Sequence, residues 1–99
     1  MRYFFHPEAE IEFNSAFDFY EGCKPGLGYD FAMEIHFTIE NILSFPKAWP
    51  ILEGEIRRCQ TRRFPYGLIY AVTEDAVLIL AVMHLHRDPE YWRDRISQS

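Results

Sequence analysis

Two strongly apolar runs constrain this chain more than any other feature. Leu68-Ile-Tyr-Ala-Val-Thr73 is rich in β-branched and aromatic side chains, and Ala76 to Met83 is almost unbroken apolar sequence. Only Glu74-Asp75 separates them, so the pair reads as an antiparallel hairpin. A strand that is apolar on both faces needs cover on both sides, or a partner on one. Side chains alternate along a strand, which puts Leu78, Leu80, Val82, His84 and His86 on one face. The two histidines are therefore expected side by side at the strand's exit. Phe64-Pro65-Tyr66 interrupts the ladder ahead of the hairpin, because proline has no N–H to donate.

The cover comes from upstream. Arg2 to His6 reads as a short first strand carrying Tyr3, Phe4 and Phe5. Pro7 suits the first turn of a helix, and Glu8 and Glu10 suit its positive end. Ala9, Phe13, Ala16, Phe17 and Tyr20 follow helical spacing and form one apolar stripe. The segment Gly22-Cys-Lys-Pro-Gly-Leu-Gly28 ends that helix. A second helix is expected from about Tyr29 to Ser44, burying Phe31, Ile35, Thr38, Ile39, Ile42 and Phe45, and stopped by Pro46. His36 falls on its surface. Two helices joined by a short turn make a helical hairpin.

Pro46 to Gly54 reads as an irregular connection, with Trp49 over the core edge. Glu55 to Phe64 follows as a strand, with Arg57, Cys59, Thr61 and Arg63 on one face and Ile56, Arg58, Gln60 and Arg62 on the other. Asp88-Pro89 is a helix-starting pair that opens a two-turn helix from Pro89 to about Ile96. The expected order is β-α-α-β-β-β-α. The fold class is α+β, a small antiparallel sheet packed against a helical hairpin, in a single domain spanning residues 1–99.

Composition narrows the function. With 48% hydrophobic and 17% aromatic residues, the 99-residue chain is expected to fold. Nothing approaches the roughly 18 apolar residues of a membrane span, and the charged start is unlike a signal peptide. The cytoplasm is the default compartment. There Cys23 and Cys59 are usually free thiols, although they could pair in principle. No spacing of His and Cys suggests a metal, and no cofactor is implied. The net charge of −5 is uneven. Residues 1–54 carry three basic and nine acidic side chains, whereas 55–99 carry seven basic and six acidic. Between residues 56 and 73 there are four arginines and no acid. They serve either as gatekeepers on a solvated strand edge or as an anion-facing patch. The acidic total opposes broad, non-specific binding of nucleic acid.

Several words then fall in a recognisable order. They are His6-Pro7-Glu8-Ala9, Ser44-Phe45-Pro46, Arg57-Arg58, Arg63-Phe64-Pro65-Tyr66, Ile69-Tyr70, Ala81-Val82-Met83-His84 and Arg87-Asp88-Pro89-Glu90-Tyr91-Trp92. Spread over nearly the whole chain, they resemble the RelE/ParE superfamily of toxins from bacterial type II toxin–antitoxin systems, also called plasmid stabilisation proteins. The resemblance implies a growth-inhibiting toxin neutralised by a cognate antitoxin, whose C-terminal segment covers the active surface. It leaves open a homodimer or a toxin–antitoxin hetero-oligomer.

The superfamily divides by target. RelE-like members cut messenger RNA in the ribosomal A site, which needs a proton acceptor, a proton donor and cations around the phosphate. They carry a basic residue early in the strand after the Phe-Pro-Tyr word and a His or Tyr at the end of the last strand. The early position here is Gly67, which carries no charge. The late position is His86 with Arg87 beside it. If the chain is RelE-like, the catalytic candidates are His86, Arg87 and Tyr66. ParE-like members lack that set and inhibit DNA gyrase by binding, and the long tail through Trp92 and the missing cation point to that branch. A non-toxic family member is the third reading, because toxins of the superfamily are generally basic and this chain is acidic. The surface for target or antitoxin is read as Arg57, Arg58, Arg62, Arg63, His84, Tyr91 and Arg95. Among these, Arg62 and Arg63 are the strongest anion binders, since arginine's fork matches phosphate or carboxylate. Plainer roles also fit: His84 and His86 as strand-end polar groups, Tyr66 and Tyr70 as core aromatics, Tyr91 and Trp92 as packing for the last helix.

Overall fold

The computed structural model describes residues 1–96. A five-stranded sheet carries a pair of helices on one face and a short C-terminal 3₁₀ turn on the other. The strands are β1 (Arg2–Phe5), β2 (Ile51–Glu53), β3 (Ile56–Gln60), β4 (Tyr66–Val72) and β5 (Ala76–His84). The helices are α1 (Pro7–Cys23) and α2 (Leu27–Ser44), and the 3₁₀ turn covers Tyr91–Arg95. In space the strands run β1-β5-β4-β3-β2. The α+β class and the helical hairpin on a small sheet are as expected. The sheet, however, is mixed, because β1 lies parallel to β5. The helical hairpin carries the chain from β1 to the far edge of the sheet, and β2, β3, β4 and β5 then return strand by strand until β5 lies beside β1.

Local chemistry sets the helix ends. Pro7 opens α1, and the His6 imidazole caps it by accepting the Glu8 N–H at 3.1 Å. The turn between helices uses Gly26 at φ 91°, a conformation that suits glycine. The Glu21 carboxylate accepts the Gly26 and Gly28 N–H groups, both at 2.9 Å. These caps let α2 begin at Leu27, earlier than its apolar periodicity suggests. Gly28 is needed for close approach: a Cβ there would lie 2.7 Å from the Phe17 carbonyl oxygen.

The helix-side core joins Ala9 and Ala16 of α1, the stripe Phe31, Ile35, Ile39 and Ile42 of α2, and Cys59, Leu68, Tyr70, Val77, Ile79 and Val82 of the sheet. Burying each large aliphatic or aromatic side chain contributes about 1.5–3 kcal/mol. Phe45, expected in this stripe, is 66% exposed. It is the residue where α2 stops, and its backbone turns out of the helix at φ −139°. The opposite core packs Trp92 onto Ile56, Ile69, Leu80, Ala81 and Met83.

Four expectations about the strands and the C-terminal segment need correction. Ile51–Glu53 forms the edge strand β2, inside the stretch read as irregular. The turn into β3 is made at Gly54, φ 54°. β3 stops at Gln60, so Arg62 and Arg63 lie in the loop before β4 and not on a strand. The last element is a 3₁₀ turn and not a two-turn helix, with Trp92 Nε1 donating to the Pro89 carbonyl at 2.6 Å.

The fourth correction concerns β5, which contains a bulge. Ile69 pairs with Ala81 but Tyr70 pairs with Ile79, so Leu80 has no partner. An extra residue inverts the alternation. Val77 and Ile79 face the helices, Leu80 and Ala81 both face Trp92, and Val82 returns to the helix side. The expected single face from Leu78 to His86 is therefore split.

Candidate functional site

The bulge coincides with the end of β1. The last rung there is the His6 N–H on the Ile79 carbonyl, 2.8 Å, after which the chain turns into α1. The edge of β5 is bare from Leu80 onward, and an ion pair occupies it in place of a strand. Glu12 of α1 accepts the Val82 N–H at 3.0 Å, and Arg95 donates to the Leu80 carbonyl at 2.9 Å. The two side chains join each other through Arg95 Nη1 at 2.8 Å and Nη2 at 2.9 Å. Arg95 is buried, and its bonds to Glu12 hold its pKa above the ordinary arginine value. Arg87 stands 3.6 Å from Glu12 and lies over the Tyr91 ring at 3.9 Å. The buried Tyr91 hydroxyl has no hydrogen-bond partner of full geometry among the described residues. Burial, and then the neighbouring Glu12 carboxylate, push its pKa up.

The aromatic and histidine cluster sits next to this pair. The Tyr66 ring is 5.2 Å from His84, and His84 is 5.2 Å from His86. His86 lies beyond the end of β5, in the turn, so the two rings meet through the turn and not through strand alternation. The His84 Nδ1 accepts the His86 N–H at 3.1 Å, which leaves Nε2 to carry the proton of a neutral ring. Burial raises the Tyr66 pKa, with smaller contributions from Tyr20 and Glu12, so the phenol is a hydrogen-bond donor at neutral pH. A groove of about 390 Å³ between α1 and β5 is lined by Ile11, Ser15, Phe19, Tyr66, His84 and Arg87. Ile11 and Phe19 are 58% and 65% exposed there.

Gly67 faces the other way. A Cβ on it would meet the Arg58 Cγ and Cδ at 3.4 and 3.5 Å and the Leu85 Cδ2 at 3.5 Å. This is the face of Trp92, opposite Tyr66 and His84. The position where a cation is expected in RelE-like chains thus opens away from the histidines, and the stem of Arg58 occupies it.

The remaining arginines are spread along β3 and its loop. Arg57 donates to the Trp49 carbonyl at 2.7 Å. Glu34 of α2 accepts the Arg62 and Arg63 N–H groups at 2.6 and 3.3 Å and lies 3.6 Å from the Arg63 Nε. Arg63 also rests on the Phe64 ring at 5.5 Å. Of the residues read as a binding surface, the structure brings His84, Tyr91 and Arg95 round Glu12, and sets Arg57, Arg58, Arg62 and Arg63 apart from them. Arg95 is committed to Glu12 within the chain.

Glu12 and Glu34 are the organising residues that periodicity arguments pass over. Each lies on the buried stripe of its helix: Glu12 between Ala9 and Ala16, Glu34 between Phe31 and Thr38. A carboxylate on a stripe of that kind needs donors, and that was the available signal. Cys23 is exposed and Cys59 buried, both free thiols, with burial pushing the Cys59 pKa up to about 11. No helix among the described residues is long and apolar enough to cross a membrane.

The sheet order, with a helical hairpin on one face and a latched C-terminal turn on the other, recurs in a solved structure. A solved structure described as the chromosomal ParDE toxin–antitoxin system from P. aeruginosa superposes with a TM-score of 0.75 at 14% identity, covering 87% of this chain and 97% of that one. Among curated proteins, no sequence matches. The sequence model of the ParE toxin of the type II toxin–antitoxin system parDE matches residues 3–89, and the chain belongs to that family. Membership implies an antitoxin partner.

Proposed function

We propose that this chain is a toxin that arrests growth by binding DNA gyrase and is neutralised by a cognate antitoxin encoded beside it. The observation that carries the choice of target is the orientation of Gly67. Cleavage of RNA needs a positioned cation facing the group that moves the proton. Gly67 opens toward Arg58 and Leu85, while Tyr66, His84 and His86 gather on the other side of the sheet. The cations beside the histidines, Arg87 and Arg95, are drawn toward Glu12. A binding toxin needs none of that machinery. It needs exposed surface, and the α1 groove with Ile11 and Phe19 and the loop arginines Arg62 and Arg63 supply it.

Expression of the chain alone should arrest growth with replication blocked, and expression with the neighbouring gene should relieve it. Arrest that persists with the neighbouring product present, with no co-purification, contradicts the antitoxin half of this reading. Arrest with DNA supercoiling intact contradicts the gyrase half.

A further inference from the structure

β1 ends the sheet on one side, and no strand among the described residues lies beyond it. Its inner amides are spent on β5: Phe4 lies opposite Leu78, and the His6 N–H donates to the Ile79 carbonyl at 2.8 Å. Successive residues of a strand point their amide groups to opposite neighbours. Phe4 and His6 therefore point inward, and Tyr3 and Phe5 point outward. Beyond the β5 ladder, no hydrogen bond among the described residues takes up the N–H of Tyr3 or of Phe5. Two donors and two acceptors thus stand open along one short edge.

The side chains of that edge are unusual for an open strand, since natural edges are blunted by charge, proline or a covering segment. Here Tyr3 is 42% and Phe4 50% exposed. The single charge, Arg2, has no acid partner among the described residues and lies over the Phe4 ring at 5.3 Å. Just past the strand, Glu8 and Glu10 at the start of α1 are exposed and form no salt bridge among the described residues.

Laid antiparallel against a copy of itself about Phe4, the strand matches its own pattern. Tyr3 of one copy then faces the partner's Phe5, and these outward residues exchange both amide hydrogen bonds. The two Phe4 side chains meet at the twofold axis as a close cross-strand aromatic pair. Arg2 falls opposite the partner's His6, on the side of the acids that open the partner's α1.

We propose that β1 is a self-association edge that joins two copies of this chain about a twofold axis at Phe4. The two sheets become one continuous sheet, with both helical hairpins on the same face. The contact uses the same patch on both copies, so it closes at a dimer and does not propagate. What favours a second copy over a foreign strand is that one short segment supplies an aromatic opposite each aromatic and acids for Arg2. The inference is independent of which target the toxin attacks.

The test uses the full chain. Sedimentation equilibrium should show a concentration-dependent dimer. Phe4→Glu sets like charges face to face on the axis and should weaken it roughly tenfold or more. Tyr3→Pro removes an outward N–H without touching the β5 ladder and should abolish the dimer, whereas Tyr3→Ala keeps that N–H and should retain it. Phe4→Cys, in a Cys23→Ser background, reads the register directly. Residues paired in this way stand about 4.5 Å apart at Cα, within reach of a disulfide, so mild oxidation should link two copies. Arg2→Cys, opposite His6, should link far more slowly. The cysteine arm needs only a small side chain at an exposed position, so it decides the matter even if the proline variant fails to fold. A chain that stays monomeric to millimolar concentration overturns the proposal. So does a dimer indifferent to both Phe4→Glu and Tyr3→Pro. Equal cross-linking of the two cysteine variants overturns it as well, because random collision does the same.

Discussion

Glu12 and Arg95 stand 83 positions apart in the chain and meet through two hydrogen bonds of 2.8 and 2.9 Å. Together they do what a sixth strand would do at the edge of β5, one accepting the Val82 N–H and the other donating to the Leu80 carbonyl. The same pair ties the C-terminal turn, with Trp92 and Tyr91, to the first helix. An edge with unpaired amides invites pairing with other chains. Here a buried ion pair closes it and fixes where the last segment lies.

Removing one partner of such a pair leaves an uncompensated charge and costs about 3–5 kcal/mol. Glu12→Gln and Arg95→Met should each lower unfolding free energy by amounts of that order in urea titrations. The double variant should be clearly less destabilised than the sum of the two, because neither charge is then left alone. Strictly additive losses would show that the two residues are not coupled.

Two glycines should differ in their tolerance of alanine. At Gly28 the new Cβ meets the Phe17 carbonyl at 2.7 Å, so the helices must shift, a cost of about 1–3 kcal/mol. At Gly67 the contacts of 3.4–3.5 Å are ordinary, and the variant should lie within about 1 kcal/mol of the parent. Thermal denaturation of both variants checks the contrast; equal losses would contradict the tight helix crossing.

Much of this architecture was legible in the residues. The β4–β5 hairpin follows from two apolar runs and a two-residue polar break, and both helices from their stripes and glycine-rich turn. The β5 bulge was hidden, since a run apolar on both faces shows no alternation to be broken. β2 is three exposed residues behind Pro50, too short to show a period. The direction of β1 depends on how the hairpin returns, which no local pattern encodes. The site was less legible than the fold: Arg95 reads as a surface cation until Glu12 is seen to lie on a buried stripe.

Alkaline pH should weaken the fold. Burial raises the Cys59 pKa from 9.0 to about 11 and the Tyr70 pKa from 10.0 to about 12. The unfolded chain then loses these protons at lower pH than the folded one. Their contribution is complete below about pH 9 and is lost as pH rises through 11 and 12. Denaturant midpoints measured from pH 8 to 11 should fall, and less steeply in Cys59→Ala. A flat profile would contradict the buried, protonated thiol.

The proposed function is a toxin that binds gyrase and leaves RNA intact. The most direct measurement adds purified chain to gyrase in a supercoiling assay, and in parallel to translating ribosomes with the messenger RNA ends mapped. Supercoiling should be lost, also with His86→Ala, while messenger RNA stays intact. Cuts phased with codons and abolished by His86→Ala, with supercoiling untouched, would contradict that function.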